Sequence, residues 1–129
     1  LTVSTRQAAT AAPSTEELLD TIIDSIQDVK GKRIMKFDLR EIDDASVDYF
    51  IICEGDSTTQ VKGISDRVHV RVKQELGMSP SHNEGKDHAH WVLLDYFDVV
   101  VHVFYPETRA FYDLEDLWSD AAVTEYENL

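Results

Sequence analysis

The run "YFIICEG", beginning at Tyr49, is apolar nearly throughout and constrains this chain more than any other stretch. A half-exposed strand alternates apolar and polar residues, whereas an unbroken short run of this kind reads as a strand covered on both faces. The chain must therefore supply helices to cover a sheet. Two segments do so. Ser14 and Glu17 form an S-x-x-E capping box, and Leu18, Leu19, Ile22, Ile23 and Ile26 follow at helical spacing until Gly31. Ser57 and Gln60 form a second box, and Val61, Ile64, Val68, Val72 and Leu76 make an inward stripe that Gly77 ends.

The remaining segments complete one domain. "RIMKFDL" suits a strand with Ile34 and Phe37 as core residues, and the acidic connection "REIDDASVD" leads into "YFIICEG". "SHNEGKDHA" reads as an exposed loop. "WVLLD" and "DVVVHVFY" read as strands around a tight reversal at Tyr96-Phe97, and Pro106 stops the second of them. "TRAFYDLEDLW" reads as a last helical turn or two, after which the chain is expected to fray. The order helix, strand, strand, helix, strand, strand, helix predicts an α/β (α+β) single domain, a mixed β-sheet flanked by helices. Residues 1–13 are expected to be a flexible N-terminal tail, 14–121 the folded domain, and 122–129 an acidic C-terminal tail.

Charge narrows the partners. The net charge is −13, from 25 acids against 12 bases. DNA and bare phosphate surfaces repel such a chain, because affinity there comes from Lys and Arg, whereas a basic protein surface attracts it. After Pro106 stand seven acids (Glu107, Asp113, Glu115, Asp116, Asp120, Glu125 and Glu127) against Arg109 alone. No apolar run approaches the roughly 20 residues of a membrane span. The single cysteine, Cys53, has apolar neighbours and reads as buried and inert, in a reducing compartment.

Motifs for chemistry are weak. "GDSTTQ" could present helix N–H groups to a phosphate, yet it lacks a glycine-rich or Lys-Ser/Thr signature, and Asp56 would repel an anion. His82, His88 and His90 fall on a polar loop and His102 on a strand, so no cofactor and no metal site is expected. Asp95 and Asp98 flank the reversal, where two carboxylates with a divalent metal could serve nucleotidyl transfer, but no phosphate cradle stands nearby.

The segment from Trp91 to Trp118 holds eight of the chain's twelve aromatic residues, more than a sheet core needs. Tyr96-Phe97 is an odd turn, since two-residue hairpins favour residues that accept positive φ. Either the turn is longer or it is strained. Two rings at a tip must pack back onto the domain or meet a partner. On a helix, Phe111, Leu114 and Trp118 would share one face, with Tyr112, Asp113, Glu115 and Asp116 to the side. Rings beside acids suit a protein-binding patch.

These same stretches carry a family resemblance. "VDYFIICEGDSTTQVKGISDRV" and "HWVLLDYFDVVVHVFYPETRAFYDLEDLW" resemble the Iojap-like family, the bacterial and organellar ribosomal silencing factors, from about Thr15 to Ala121. The resemblance implies a nucleotidyltransferase-like fold without the catalytic carboxylates and with no established enzymatic activity. It implies binding to large-subunit protein fourteen, a block on subunit joining and repression of translation, and the acids around the rings point to little direct rRNA contact. A homodimer and a bacterial cytoplasmic setting are implied too, or else a mitochondrial or chloroplast one. Carried over by motif, the partner-binding residues are Trp91, Asp95, Tyr96, Asp98, His102, Arg109, Tyr112, Asp113, Glu115 and Trp118, and Phe97 joins them on its own account as a large ring at the hairpin tip. Phe97 departs from the family, which commonly has glycine there. The competing reading is a nucleotide-binding or nucleotidyltransferase-like enzyme that uses Asp95 and Asp98 with a divalent metal, and Ser57 near phosphate.

Overall fold

A computed structural model describes residues 12–129. Helix α1 (Thr15–Asp28) starts at Ser14, whose hydroxyl accepts the Glu17 N–H while the Glu17 carboxylate accepts the Ser14 N–H, so both halves of the expected box form. Gly31 is required where the chain leaves the helix, because a Cβ there would collide with Ile26. Strand β1 (Lys32–Asp38) is kinked near its start, where Arg33 has φ 49° and the register with β2 (Tyr49–Glu54) shifts. Helix α2 (Thr58–Leu76) is capped by Ser57, whose side chain accepts the Gln60 N–H. The second box is only half formed. The Gln60 carboxamide accepts from Asp56 N–H at 2.6 Å instead of from Ser57. Gly77, at φ 69°, closes the helix as a left-handed cap.

The strands β3 (His82–Glu84), β4 (Trp91–Asp95) and β5 (Val99–Phe104) follow, then the short helices α3 (Pro106–Tyr112) and α4 (Leu114–Leu117), then β6 (Ala122–Tyr126). The six strands form one sheet in the order β3-β4-β5-β2-β1-β6. Only β2 and β5 run parallel, and the connection between them runs through α2, β3 and β4. The result is the mixed sheet flanked by helices that the segment order predicts.

Two local expectations are corrected. The predicted loop contains β3, whose residues pair with Leu93, Leu94 and Asp95 of β4. The segment expected to fray forms β6, paired in continuous register from Ala122↔Asp38 to Tyr126↔Ile34. In both places strand pairing, with the next strand for β3 and with a distant one for β6, rather than local apolar pattern, creates the element. The flexible tail expected over residues 1–13 falls almost wholly outside the described residues.

The two faces of the sheet are covered unequally. On one, α1 and α2 bury Leu19, Ile22, Ile26, Val61, Ile64 and Val68 against Ile51, Cys53, Val92, Leu94, Val101 and Val103. On the other, only α3, α4 and the 39–48 loop are available, and the smaller cluster there centres on Phe37, Leu39, Ile52 and Phe104. The run around Ile51 is thus buried on both sides, except that Phe50 stays partly exposed.

Candidate docking face

Strand parity places Phe50 and Ile52 of β2, His102 and Phe104 of β5, and Trp91 and Leu93 of β4 on the less covered face. In register, Leu93 lies opposite His102 and Trp91 opposite Phe104. The rings touch in series. Tyr112 meets Trp91 at 4.8 Å between centroids, Trp91 meets His102 at 5.9 Å, Phe50 stands edge-on to His102 at 4.8 Å, and Trp118 stands edge-on to Phe50 at 5.6 Å. These are favourable offset and T-shaped separations. Phe50, Trp91, Leu93 and Trp118 remain partly exposed, and Tyr112 is about half exposed at 51%.

His102 sits in the floor of this array. Trp91 Nε1–H donates to His102 Nδ1 at 3.0 Å, which puts the imidazole proton on Nε2. Nε2 has no partner and is buried, and burial pulls the group down to about 4 from its ordinary 6.5. His102 is therefore neutral and orients Trp91. It does not reach out to a partner.

Arg109 is likewise interior, at 1% exposure. Its guanidinium donates to Glu54 Oε1 and Glu115 Oε2, both at 3.2 Å, to Arg33 O at 2.8 Å and to Met35 Sδ at 3.2 Å. It ties α3 and α4 to the strands beneath them. From Trp91 to Leu129 it is the only Lys or Arg in the sequence, so the buried pairing leaves no basic residue from this whole segment at the surface. Asp98, Asp113 and Asp116 are exposed, and Asp95 and Glu115 are partly so. The ring array therefore has an acidic rim.

The expected single helical face after Arg109 does not exist. Asp113 adopts φ 47°, its N–H donates to Arg109 O, and the chain turns there between α3 and α4. Leu114 and Trp118 turn inward onto the sheet while Phe111, expected beside them, is 80% exposed. Local spacing cannot foresee this, since the break depends on a left-handed residue that is not glycine.

The hairpin is also resolved. Tyr96 is only 2% exposed and packs in the helix-covered core, so its side chain is not available to a partner. Burial pushes its phenol up to about 12. The turn centres one residue later than the sequence suggests. Asp98 N–H donates to Tyr96 O at 3.0 Å across Phe97, which has φ 73°, and Phe97 N–H donates to Asp95 Oδ1 at 2.8 Å. This is the rare positive-φ γ-turn, strained for any side chain. Phe97 packs on little, at 72% exposure. Phe97→Gly is expected to stabilise the fold by about 1 kcal/mol, read as a higher urea midpoint at unchanged slope. A loss of stability would show that the ring packs on the domain.

Of the residues nominated from the sequence, Trp91, Asp95, Tyr112, Asp113, Glu115 and Trp118 lie in or beside the ring array, and Phe97 and Asp98 stand at the hairpin tip beyond Asp95. Tyr96, His102 and Arg109 are interior. Two contributors were missed, Phe50 and Leu93. For Phe50 a signal existed: it lies two residues before Ile52, the register partner of His102, and shares its face.

The features for catalysis fare differently. Ser57 is engaged as a cap, and Asp56 pairs with Lys32 at 2.7 Å. Cys53 is buried, its thiol pushed up to about 12 by desolvation. Among the described residues no group of three His, Cys, Asp or Glu side chains is placed to hold a metal ion. Asp95 turns an oxygen to the Phe97 N–H, so the pairing of Asp95 and Asp98 on a metal has nothing in its favour here.

Fold and site together define a small α/β domain whose distinguishing surface is a partly exposed array of rings with an acidic rim. The family described as "Ribosomal silencing factor during starvation" matches residues 12–129. The chain is 39% identical over 116 residues to "Ribosomal silencing factor RsfS" of Halalkalibacterium halodurans, covering 90% of this chain and 97% of that one. It is 36% identical over 77 residues to "Protein Iojap, chloroplastic" of Zea mays, covering 60% of this chain and 33% of that one. A crystal structure of a Chromobacterium violaceum protein superposes with TM-score 0.78 at 36% identity, covering 83% of this chain and 88% of that one. This chain belongs to the ribosomal silencing factor family.

Proposed function

We propose that the acid-rimmed aromatic face docks on large-subunit protein fourteen and, by occupying it, blocks joining of the small subunit and represses translation. The observation that carries this reading is the array Tyr112–Trp91–His102–Phe50–Trp118, whose rings other than His102 stay partly exposed on the sheet face that α1 and α2 do not cover. Large partly exposed rings of this kind are the usual anchors of protein interfaces. The carboxylates around them, with no exposed base between Trp91 and Leu129, favour a basic partner and oppose rRNA. The mechanism is steric: two surfaces compete for one site, and the effect scales with factor concentration relative to Kd.

Calorimetry with purified large-subunit protein fourteen tests it. Binding is expected to weaken with salt, to weaken about tenfold or more in Tyr112→Ala, and to fall several-fold in Asp98→Ala, with the fold intact by circular dichroism. If the folded wild-type chain does not bind, the partner assignment is wrong. If it binds and Tyr112→Ala binds equally well, the face is wrong.

A further inference from the structure

Strand β6 ends the sheet at the edge beyond β1, and among the described residues no strand pairs with its outer edge. Leu39 N–H donates to Asp48 O at 2.8 Å, just beyond the β1–β2 ladder. Alternation along β1 then turns the main chain of its even residues toward β6. Asp38, Lys36 and Ile34 are therefore the hydrogen-bonded partners of Ala122, Thr124 and Tyr126. Val123 and Glu125 point their N–H and C=O groups outward. Natural edges are usually protected by a bulge, proline or lysine. The segment Ala122–Tyr126 contains no Pro or Lys, its register is continuous, and Ala122 through Glu125 have exposed side chains.

On β6 and the rest of the chain after Arg109 every Lys/Arg/Asp/Glu charge is acidic, and the nearest bases, Lys36 opposite Thr124 and Arg40 in the groove, come from β1 and the loop after it. Asp120, Glu125 and Glu127 are exposed. At the start of the strand an open groove of about 870 Å³ is lined by Asp38, Glu41 and Asp120, with the Arg40 guanidinium tied to Asp38 at 2.8 and 3.0 Å.

We propose that the free edge of β6 accepts a basic, extended peptide segment of another protein as an added strand. Main-chain pairing through Val123 and Glu125 would supply register, and Lys or Arg side chains would meet Asp120, Glu125 and Glu127. A second copy of this chain fits less well. Antiparallel self-pairing about Thr124 would gather those acids from two molecules that each carry −13. The outer edge of β6 is separated by β1 from β2, the nearest of the three strands that carry Phe50, His102 and Trp91.

The test is amide exchange by nuclear magnetic resonance on the full chain, with a synthetic peptide of alternating lysine and valine as the probe. Val123 and Glu125 amides should gain protection while Thr124, already paired, changes little. Val123→Pro removes one outward N–H, which an edge strand tolerates, and should weaken the peptide at least tenfold. Tyr112→Ala should leave it unchanged. Three results would overturn the proposal: no protection at Val123 and Glu125 in the wild-type chain, equal affinity in Val123→Pro, or a free chain that is already a dimer with these amides protected.

Discussion

Arg109→Met is expected to destabilise the fold by about 3–5 kcal/mol, the usual consequence of removing one partner from a buried ion pair. The guanidinium is 1% exposed and bridges two carboxylates, a main-chain carbonyl and a thioether. Methionine fills similar volume but leaves Glu54, whose side chain is 10% exposed, facing only Arg33 at 3.4 Å. Arg109→Lys should fare little better, because one ammonium cannot span the same fork. Adding Glu54→Gln to Arg109→Met should recover part of the loss. Urea denaturation reads all three, and a loss below about 1 kcal/mol for Arg109→Met would mean that the interior pairing is inessential. Docking should suffer as well, since Arg109 holds the helix that presents Tyr112.

The second large effect is on acid stability. His102 is held neutral by burial down to about pH 4, while the same residue in the unfolded chain takes up a proton near its ordinary 6.5. Below pH 6.5 the unfolded state binds the extra proton, so stability falls as pH drops. The contribution is intact above 6.5 and is lost progressively down to about 4, by on the order of 3 kcal/mol. His102→Phe cannot titrate. It should be less stable than wild type at pH 7, where the Trp91 indole N–H loses its acceptor, yet lose less between pH 6.5 and 4.5. Carboxylates titrate in both proteins, so the difference between the two pH curves isolates the histidine. Parallel curves would show that the ring protonates as easily folded as unfolded. The ring array would then be more hydrated than its geometry indicates, because His102 forms its floor.

The two residues also mark where local sequence ceases to be informative. The charge of Arg109 and the ring of His102 both sit in motifs that the family resemblance nominates for partner contact. Polar residue types in such a motif suggest a surface. The structure instead surrounds each with partners from other segments: Glu54 and Arg33 lie far away in the chain, and Trp91 reaches His102 only because β4 and β5 pair in that register.

Much of the architecture is legible before any tertiary contact is considered. The apolar run from Tyr49, the helical stripes of α1 and α2, the Ser14 and Ser57 caps and the Gly77 stop are all local features, and each follows from side-chain period or backbone sterics. They imply a covered sheet, and the concentration of rings between Trp91 and Trp118 implies a surface use for some of them. Only the tertiary structure decided which rings those are. It buried Tyr96, exposed Phe97 on a strained turn, broke the last helix at Asp113, and recruited β3 and β6 to sheet edges that local pattern leaves as loop and tail. The division has one physical cause. Period and capping depend on residues within a turn or two, whereas burial and edge pairing depend on which distant strand arrives alongside.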